Sequence, residues 1–175
     1  MSDLDPAPAH LADLLVRMTE LDWPTTEEER LALFAALDLH DAEDAPRSTD
    51  AVLDHYSRRF GAGLSEALRG TASTFRGEFL GVSLFAYDEP VEDGELARAG
   101  YRGVLDHVSR RLGPPVEEWG TVREPACLWR TGPLMIEMYC FQRLRSGVMV
   151  GPSHAVRSDA LDAAPEAPDR TDGPE

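Results

Sequence analysis

Residues 8–22 place Leu11, Leu14, Leu15, Met18 and Leu21 at helical spacing, with Asp13, Arg17 and Glu20 on the other side. That pattern predicts an amphipathic helix, and Trp23-Pro24 stops it. Thr26 with Glu29 three residues on has capping-box spacing and opens a second helix carrying Leu31, Phe34, Ala35 and Leu37. The two, joined by a tight corner, predict an N-terminal helical hairpin. An acidic, helix-poor linker follows from His40 to Pro46.

From residue 64 the period changes to two. Thr71–Arg76 and Glu78–Tyr87 are rich in β-branched and aromatic residues, and Arg76-Gly77 between them reads as a hairpin turn. Leu80, Val82, Leu84 and Ala86 alternate on one face, with Phe79, Ser83, Phe85 and Tyr87 on the other. A long helix is predicted from Asp93 to Leu112. Beyond it, Ala126–Arg130, Pro133–Arg145 and Val148–Val150 are three more strands, with Thr131-Gly132 and Ser146-Gly147 as turns.

Val52-Leu53-Asp54-His55-Tyr56-Ser57-Arg58-Arg59-Phe60-Gly61 repeats Val104-Leu105-Asp106-His107-Val108-Ser109-Arg110-Arg111-Leu112-Gly113 at eight of ten positions, offset by 52. The match extends in neither direction, so it marks no duplicated domain. Apolar residues at i, i+1, i+4 and i+8, paired arginines and a C′ glycine make a helical end. The second copy lies in the long helix. By analogy the segment 48–61 reads as helix, with a strand as the competing reading.

A two-residue turn at Thr131-Gly132 would pair Trp129 with Leu134 and Cys127 with Ile136. Cys127, Trp129, Leu134, Ile136, Met138 and Cys140 then share an apolar face that belongs in the core. The opposite face carries Met135, Glu137, Tyr139, Phe141 and Arg143, too apolar for an ordinary wet surface and too charged for a deep core. These five are the candidate partner-binding residues. The same register sets the cysteines four residues out of step, roughly 13 Å apart along the strands, beyond the ~7 Å limit of a disulfide. Two buried free thiols fit a reducing compartment. Residues 1–7 and the Pro-, Ala- and acid-rich stretch 152–175 read as disordered, which leaves one domain over 8–151.

Composition narrows the partners. Seventeen basic against 32 acidic residues leave a net charge of −15. The imbalance is concentrated: residues 1–50 hold 13 acids and three arginines, and residues 101–150 hold five acids and seven arginines. A field of that sign repels nucleic acid and anionic membrane and speeds encounter with a basic protein. Lys and Asn are absent and Ile136 is the single isoleucine, the signature of a high-GC, actinobacterial genome. Without lysine there is no P-loop and no lysine Schiff base. The acidic start, Met1-Ser2-Asp3-Leu4-Asp5, is no secretion signal, and the expected location is the cytoplasm.

No catalytic constellation emerges. His40-Asp41-Ala42-Glu43-Asp44 has the composition of a metal site without a spacing that fixes a geometry. His55 and His107 each follow an Asp, yet neighbours on a helix point about 100° apart. His10 and His154 stand near the ends. Gly81-Val82-Ser83-Leu84-Phe85 lacks the second glycine of a nucleophile elbow, and Gly61-Ala62-Gly63 meets Glu66 where a dinucleotide fingerprint needs glycine. The cysteines are 13 apart and form no C-x-x-C. Glu27-Glu28-Glu29 is helix-dipole chemistry. Trp23, Trp119 and Trp129 are core or corner residues, or anchors in an interface. The chain therefore reads as a non-enzyme without cofactor or metal.

Taken in order, the helix ending in Leu21-Asp22-Trp23-Pro24, the following strands, the helix running into Leu112-Gly113-Pro114-Pro115, and Leu128-Trp129-Arg130-Thr131 with a terminal hairpin resemble a family of small actinobacterial proteins. Some of its members are suspected immunity proteins of polymorphic toxin systems. In element order the chain also resembles secretion-chaperone-like domains. The resemblance implies binding to another protein, a basic toxin or a secreted cargo, and carries no functional residues over. The expected fold is α+β: the helical hairpin, a mainly antiparallel sheet of about five strands and one long helix packed on it. The competing expectation is a small-molecule sensor or accessory enzyme with a pocket between sheet and helical hairpin, built around Arg130, Glu137 or His107.

Overall fold

The computed structural model describes residues 4–42, 48–50, 55–90, 94–142 and 145–164. Helices α1 (Pro8–Glu20) and α2 (Glu27–Ala36) come first. Strands β1 (Leu39–Asp41), β2 (Ser48–Asp50), β3 (His55–Ala62), β4 (Ser65–Phe75) and β5 (Glu78–Pro90) follow, then helix α3 (Glu95–Leu112). Strands β6 (Glu117–Gly120), β7 (Pro125–Thr131), β8 (Leu134–Gln142) and β9 (Arg145–His154) lead into a terminal helix α4 (Ala155–Asp162). The described strands form one antiparallel sheet of nine, ordered β1-β3-β4-β5-β9-β8-β7-β6, with β2 also paired to β3. The mixed α+β class stands. The described sheet has nine strands where the sequence pattern predicts about five, because β1, β2 and β6 are too short to leave a period and β3 lies in the segment that reads as helix.

Three helices share one face of this sheet. α1 packs against α3, and α3 against β5, β8 and β9, while α2 lies over β1 and β5. α1 and α2 meet where Arg17 donates to the Ala36 carbonyl at 3.0 Å, while most of their packing is against other neighbours. The Trp23-Pro24 corner separates them, and Trp23 sits against Phe79 with ring centroids 5.2 Å apart. The capping box of α2 is present, with Thr26 Oγ1 accepting from the Glu29 N–H at 3.2 Å and Glu29 accepting from the Thr26 N–H at 3.0 Å. The core between helices and sheet includes Leu11, Leu15 and Met18 of α1, Val104 and Val108 of α3, and Cys127, Trp129, Ile136, Met138, Cys140, Val148 and Val150 of the sheet.

Two hairpins illustrate how local chemistry sets register. Arg76 and Gly77 both take positive φ, 52° and 77°, the type I′ geometry that matches strand twist. The β7–β8 loop is Gly132-Pro133 instead of Thr131-Gly132, with Gly132 at φ 58°, so Trp129 pairs with Ile136 and Cys127 with Met138. The register is displaced by two residues, and every side chain keeps its expected face. Cys127 and Cys140 end two residues out of step, closer than expected, and both remain buried free thiols. Ser146-Gly147 is no turn, for both residues pair within β9.

The segment 48–61 is strand where it is described, and residues 51–54 lie outside the described residues. The two copies of the repeat thus adopt different structures. In α3, Val104 and Val108 bury on one stripe. In β3, residues 55–62 pair with β4, and alternation buries Phe60 and Ala62. Partners in the sheet override a weak helical pattern. The alternation of β5 is also broken at its ends. Shifts of register beside Ser73/Thr74 and between Ala86 and Glu89 turn Phe79 and Tyr87 into the core. Tyr87, at φ 58°, lays its ring in the space a Cβ on Gly100 would need and donates to the Pro6 carbonyl at 2.9 Å.

The described residues of both terminal stretches, 4–7 and 152–164, are built onto the fold where composition reads as disorder. Leu4 packs against the core and Pro6 is buried. Residues 152–154 continue β9, and 155–162 form α4. Arg157 anchors α4 by donating to the Pro24 carbonyl at 2.7 Å and to Thr25 Oγ1 at 2.9 Å, with Glu78 at 2.9 Å as its ion-pair partner. Residues 1–3 and 165–175 lie outside the described residues.

Candidate functional site

The sheet face away from α1, α2 and α3 is where the candidate residues fall. Its parity follows from the pairing. Trp119 pairs with Ala126, Ala126 with Tyr139, Tyr139 with Met149, Met149 with Phe85, and Phe85 with Arg69. One row across the sheet thus presents Trp119, Tyr139, Met149 and Phe85 together. Ala126 is small enough for Trp119 and Tyr139 to meet over it, edge to face, with centroids 5.6 Å apart and planes at 78°. Trp119 is 42% exposed, and Tyr139, Met149 and Phe85 are half-buried.

The neighbouring row reads Glu117, Leu128, Glu137 and Gly151. Glu137 accepts from the Tyr139 hydroxyl at 3.2 Å. Burial, with the Glu137 charge beside it, pushes the Tyr139 phenol up to about 12, so it stays a hydrogen-bond donor at neutral pH. Arg130, Met135, Ser153 and Gly81 make a third row. Here α4 covers part of the face, enclosing a cavity of about 210 Å3 lined among others by Met135, Glu137, Met149 and Asp162.

Of the five sequence candidates, the structure brings Met135, Glu137, Tyr139 and Phe141 onto this one face. Met135 is buried, and Glu137, Tyr139 and Phe141 are half-buried. Arg143 lies outside the described residues. Trp119, Met149 and Phe85 belong to the same surface. Trp119 and Phe85 are separated from Tyr139 by 20 and 54 positions along the chain, so only the strand order joins them. A tryptophan in a four-residue edge strand has no period to betray its face.

The acidic residues of α1 and α2 lie elsewhere. Asp13 and Glu20 of α1 and Glu27, Glu28 and Glu29 of α2 belong to the helical side of the sheet, so the strongest charge and the half-apolar face point in opposite directions. Part of that charge is internally matched. Arg111 lies 2.9 Å from Asp13 and 4.0 Å from Glu20. Arg30, only 2% exposed, donates to both oxygens of Asp41 at 2.9 and 2.8 Å and to both oxygens of Glu27 at 2.8 and 2.7 Å. Arg58 closes the cluster onto Asp41 at 2.7 Å and Glu27 at 3.2 Å. The Arg30 hydrogen bond holds the Glu27 carboxyl below the usual range. For Asp41 burial pulls upward, and the two guanidiniums outweigh it.

A cavity of about 270 Å3 opens beside this cluster between α2 and the β3–β4 hairpin, lined by Glu27, Arg30, Tyr56, Ser57, Arg58, Ala72 and Thr74. It lies between the sheet and α2 and is lined by none of Arg130, Glu137 and His107. His107 on α3 and the pair Arg130 and Glu137 lie on opposite sides of the sheet and share no concavity. Trp129 is a core residue whose Nε1 donates to the Gly113 carbonyl at 3.1 Å. Cys127, fully buried, has its thiol pushed up to about 11 by burial, which suits packing and not nucleophilic attack. Among the described residues no group of three His, Cys, Asp or Glu is placed to hold a metal ion. No described helix is long and apolar enough to cross a membrane.

Set against known families, curated proteins and solved structures, the chain matches none.

Proposed function

We propose that this chain is a non-enzymatic protein-binding domain, immunity-like or chaperone-like, whose partner docks on the open sheet face. The row of Trp119, Tyr139, Met149 and Phe85 carries the reading. Tyr and Trp are the side chains that interfaces enrich, because each offers a large rigid area at small entropic cost and keeps a polar tip. Glu117 and Glu137 in the adjacent row favour a partner that is basic where it meets β6–β8. The helical side adds a long-range acidic field that speeds encounter without making the contact. The setting we propose is the actinobacterial cytoplasm, with a toxin or secreted cargo as the partner.

Affinity capture of the tagged chain from native-host lysate at low salt, eluted by rising salt, tests this reading. A stoichiometric protein that is retained by the wild type and lost with Tyr139→Ala supports it. Capture indifferent to Tyr139→Ala contradicts it. A second reading, a small-molecule sensor, has its own support in the 270 Å3 cavity beside Arg30 and Arg58. A thermal-shift screen against small anions and nucleotides checks it, and a rise of several degrees abolished by Arg58→Ala would favour it over the first.

A further inference from the structure

Among the described residues the open face ends at β6, the edge strand of the sheet, which pairs with β7 alone. All four of its residues are exposed, Glu117, Glu118, Trp119 and Gly120. Three of the large exposed hydrophobic residues lie within this short stretch: Val116 at 58%, Trp119 at 42% and Val122 at 92%. An edge strand presents a row of unpaired N–H and C=O groups, and proteins usually blunt it with charged side chains, proline, short length or a covering element. Here the strand is short and its two carboxylates oppose pairing with an acidic strand, while the apolar side chains beside them and the charge itself favour a basic one. Among the described residues neither Glu117 nor Glu118 forms an ion pair.

We infer that the β6 edge receives an extended basic segment of the partner as an added strand. The inference rests on the protein-binding reading above and gives it a mode and a chemistry. Main-chain hydrogen bonds supply affinity in such strand addition, and alternate side chains supply specificity. Trp119 and Glu117 lie on the open face and Glu118 on the other, opposite Cys127. An incoming strand is therefore matched by an apolar residue against Trp119, where Tyr139 already backs the ring, and by basic residues against Glu117 and Glu118. A second copy of this chain does not fit. Fully overlapped antiparallel self-pairing of β6 would set Glu117 against Gly120 and Glu118 against Trp119, leaving all four carboxylates without a cation between two chains of net charge −15.

The test uses the full chain, isotopically labelled, titrated with a capped peptide whose centre reads Val-Lys-Lys, the order that antiparallel pairing sets against Trp119, Glu118 and Glu117, and with its glutamate counterpart. The expected result is amide shifts centred on residues 116–122, with slowed amide exchange in β6, from the lysine peptide only. Trp119→Ala weakens this binding at an unchanged melting temperature. Glu117→Gln with Glu118→Gln weakens it about tenfold at low salt, the scale of two partly exposed charge pairs. Glu117→Arg with Glu118→Arg transfers the preference to the glutamate peptide. The inference is overturned if the lysine peptide fails to bind, shifts residues elsewhere, leaves β6 exchange unchanged, or binds no better than the glutamate peptide. The two readings fail separately. Loss of lysate capture on Tyr139→Ala with no peptide bound at β6 removes strand addition and keeps the open-face reading. Capture indifferent to Tyr139→Ala removes the open-face reading whatever the peptide does.

Discussion

Arg30 shows how single residues set local stability here. A guanidinium almost without solvent contact is tolerable only because Glu27 and Asp41 each bind it through two oxygens and Arg58 closes the network. Arg30→Met should cost about 2 kcal/mol, low for a broken buried pair because Glu27 and Asp41 keep solvent contact. A chemical-denaturation midpoint unchanged by the substitution would contradict this. The same network fixes a pH dependence. Both carboxyls titrate below their ordinary values in the fold, so the folded state binds fewer protons than the unfolded one. Their contribution is fully present above about pH 4.5 and is lost as pH falls through the depressed values. Wild type should therefore lose melting temperature between pH 5 and pH 3 more steeply than Arg30→Met, as thermal scans at each pH would reveal.

At the scale of elements, α4 is the least expected. Arg157 carries its long-range hold, reaching the α1–α2 corner and Glu78 at the start of β5, while the Ala155 N–H donates to the Pro133 carbonyl at 2.9 Å and Ser158 Oγ donates to Ser153 Oγ at 3.2 Å. Arg157→Ala should raise amide exchange over 155–162 severalfold while β8 and β9 stay protected, because the core does not include α4. Equal loosening of β9 would mean that the helix is part of the core. α4 also marks the limit of sequence reading. Ala155–Asp162 is short and without a strong apolar stripe, so composition alone made it look like tail, and the Arg157 contacts span more than 70 residues of chain. Longer elements were legible from period alone: α1, α3, β7, β8 and the capping box of α2. The half-apolar face of β8 was legible too, because parity survives a two-residue error in register. Strand order was not, since it depends on β9 entering between β5 and β8. With it went the meeting of Trp119, Tyr139, Met149 and Phe85.

For the whole molecule, the sheet separates two properties that composition had merged. Acid is concentrated on the helical side and apolar aromatic surface on the open side. Association with a basic partner should accordingly slow as ionic strength rises from about 0.02 to 0.2 M, while the dissociation rate changes little, since the distant field steers and the contact holds. A salt-independent association rate in stopped-flow or surface-binding kinetics would count against that division.

The most direct measurement compares partner binding by two double variants of similar stability. Trp119→Ala with Tyr139→Ala removes the aromatic contact on the open face, and Asp22→Asn with Glu28→Gln removes exposed charge on the helical side. The account predicts faster dissociation and loss of stable binding for the first, and only slower association for the second. Stable binding by the first variant and its loss in the second would place the partner on the helices and contradict it.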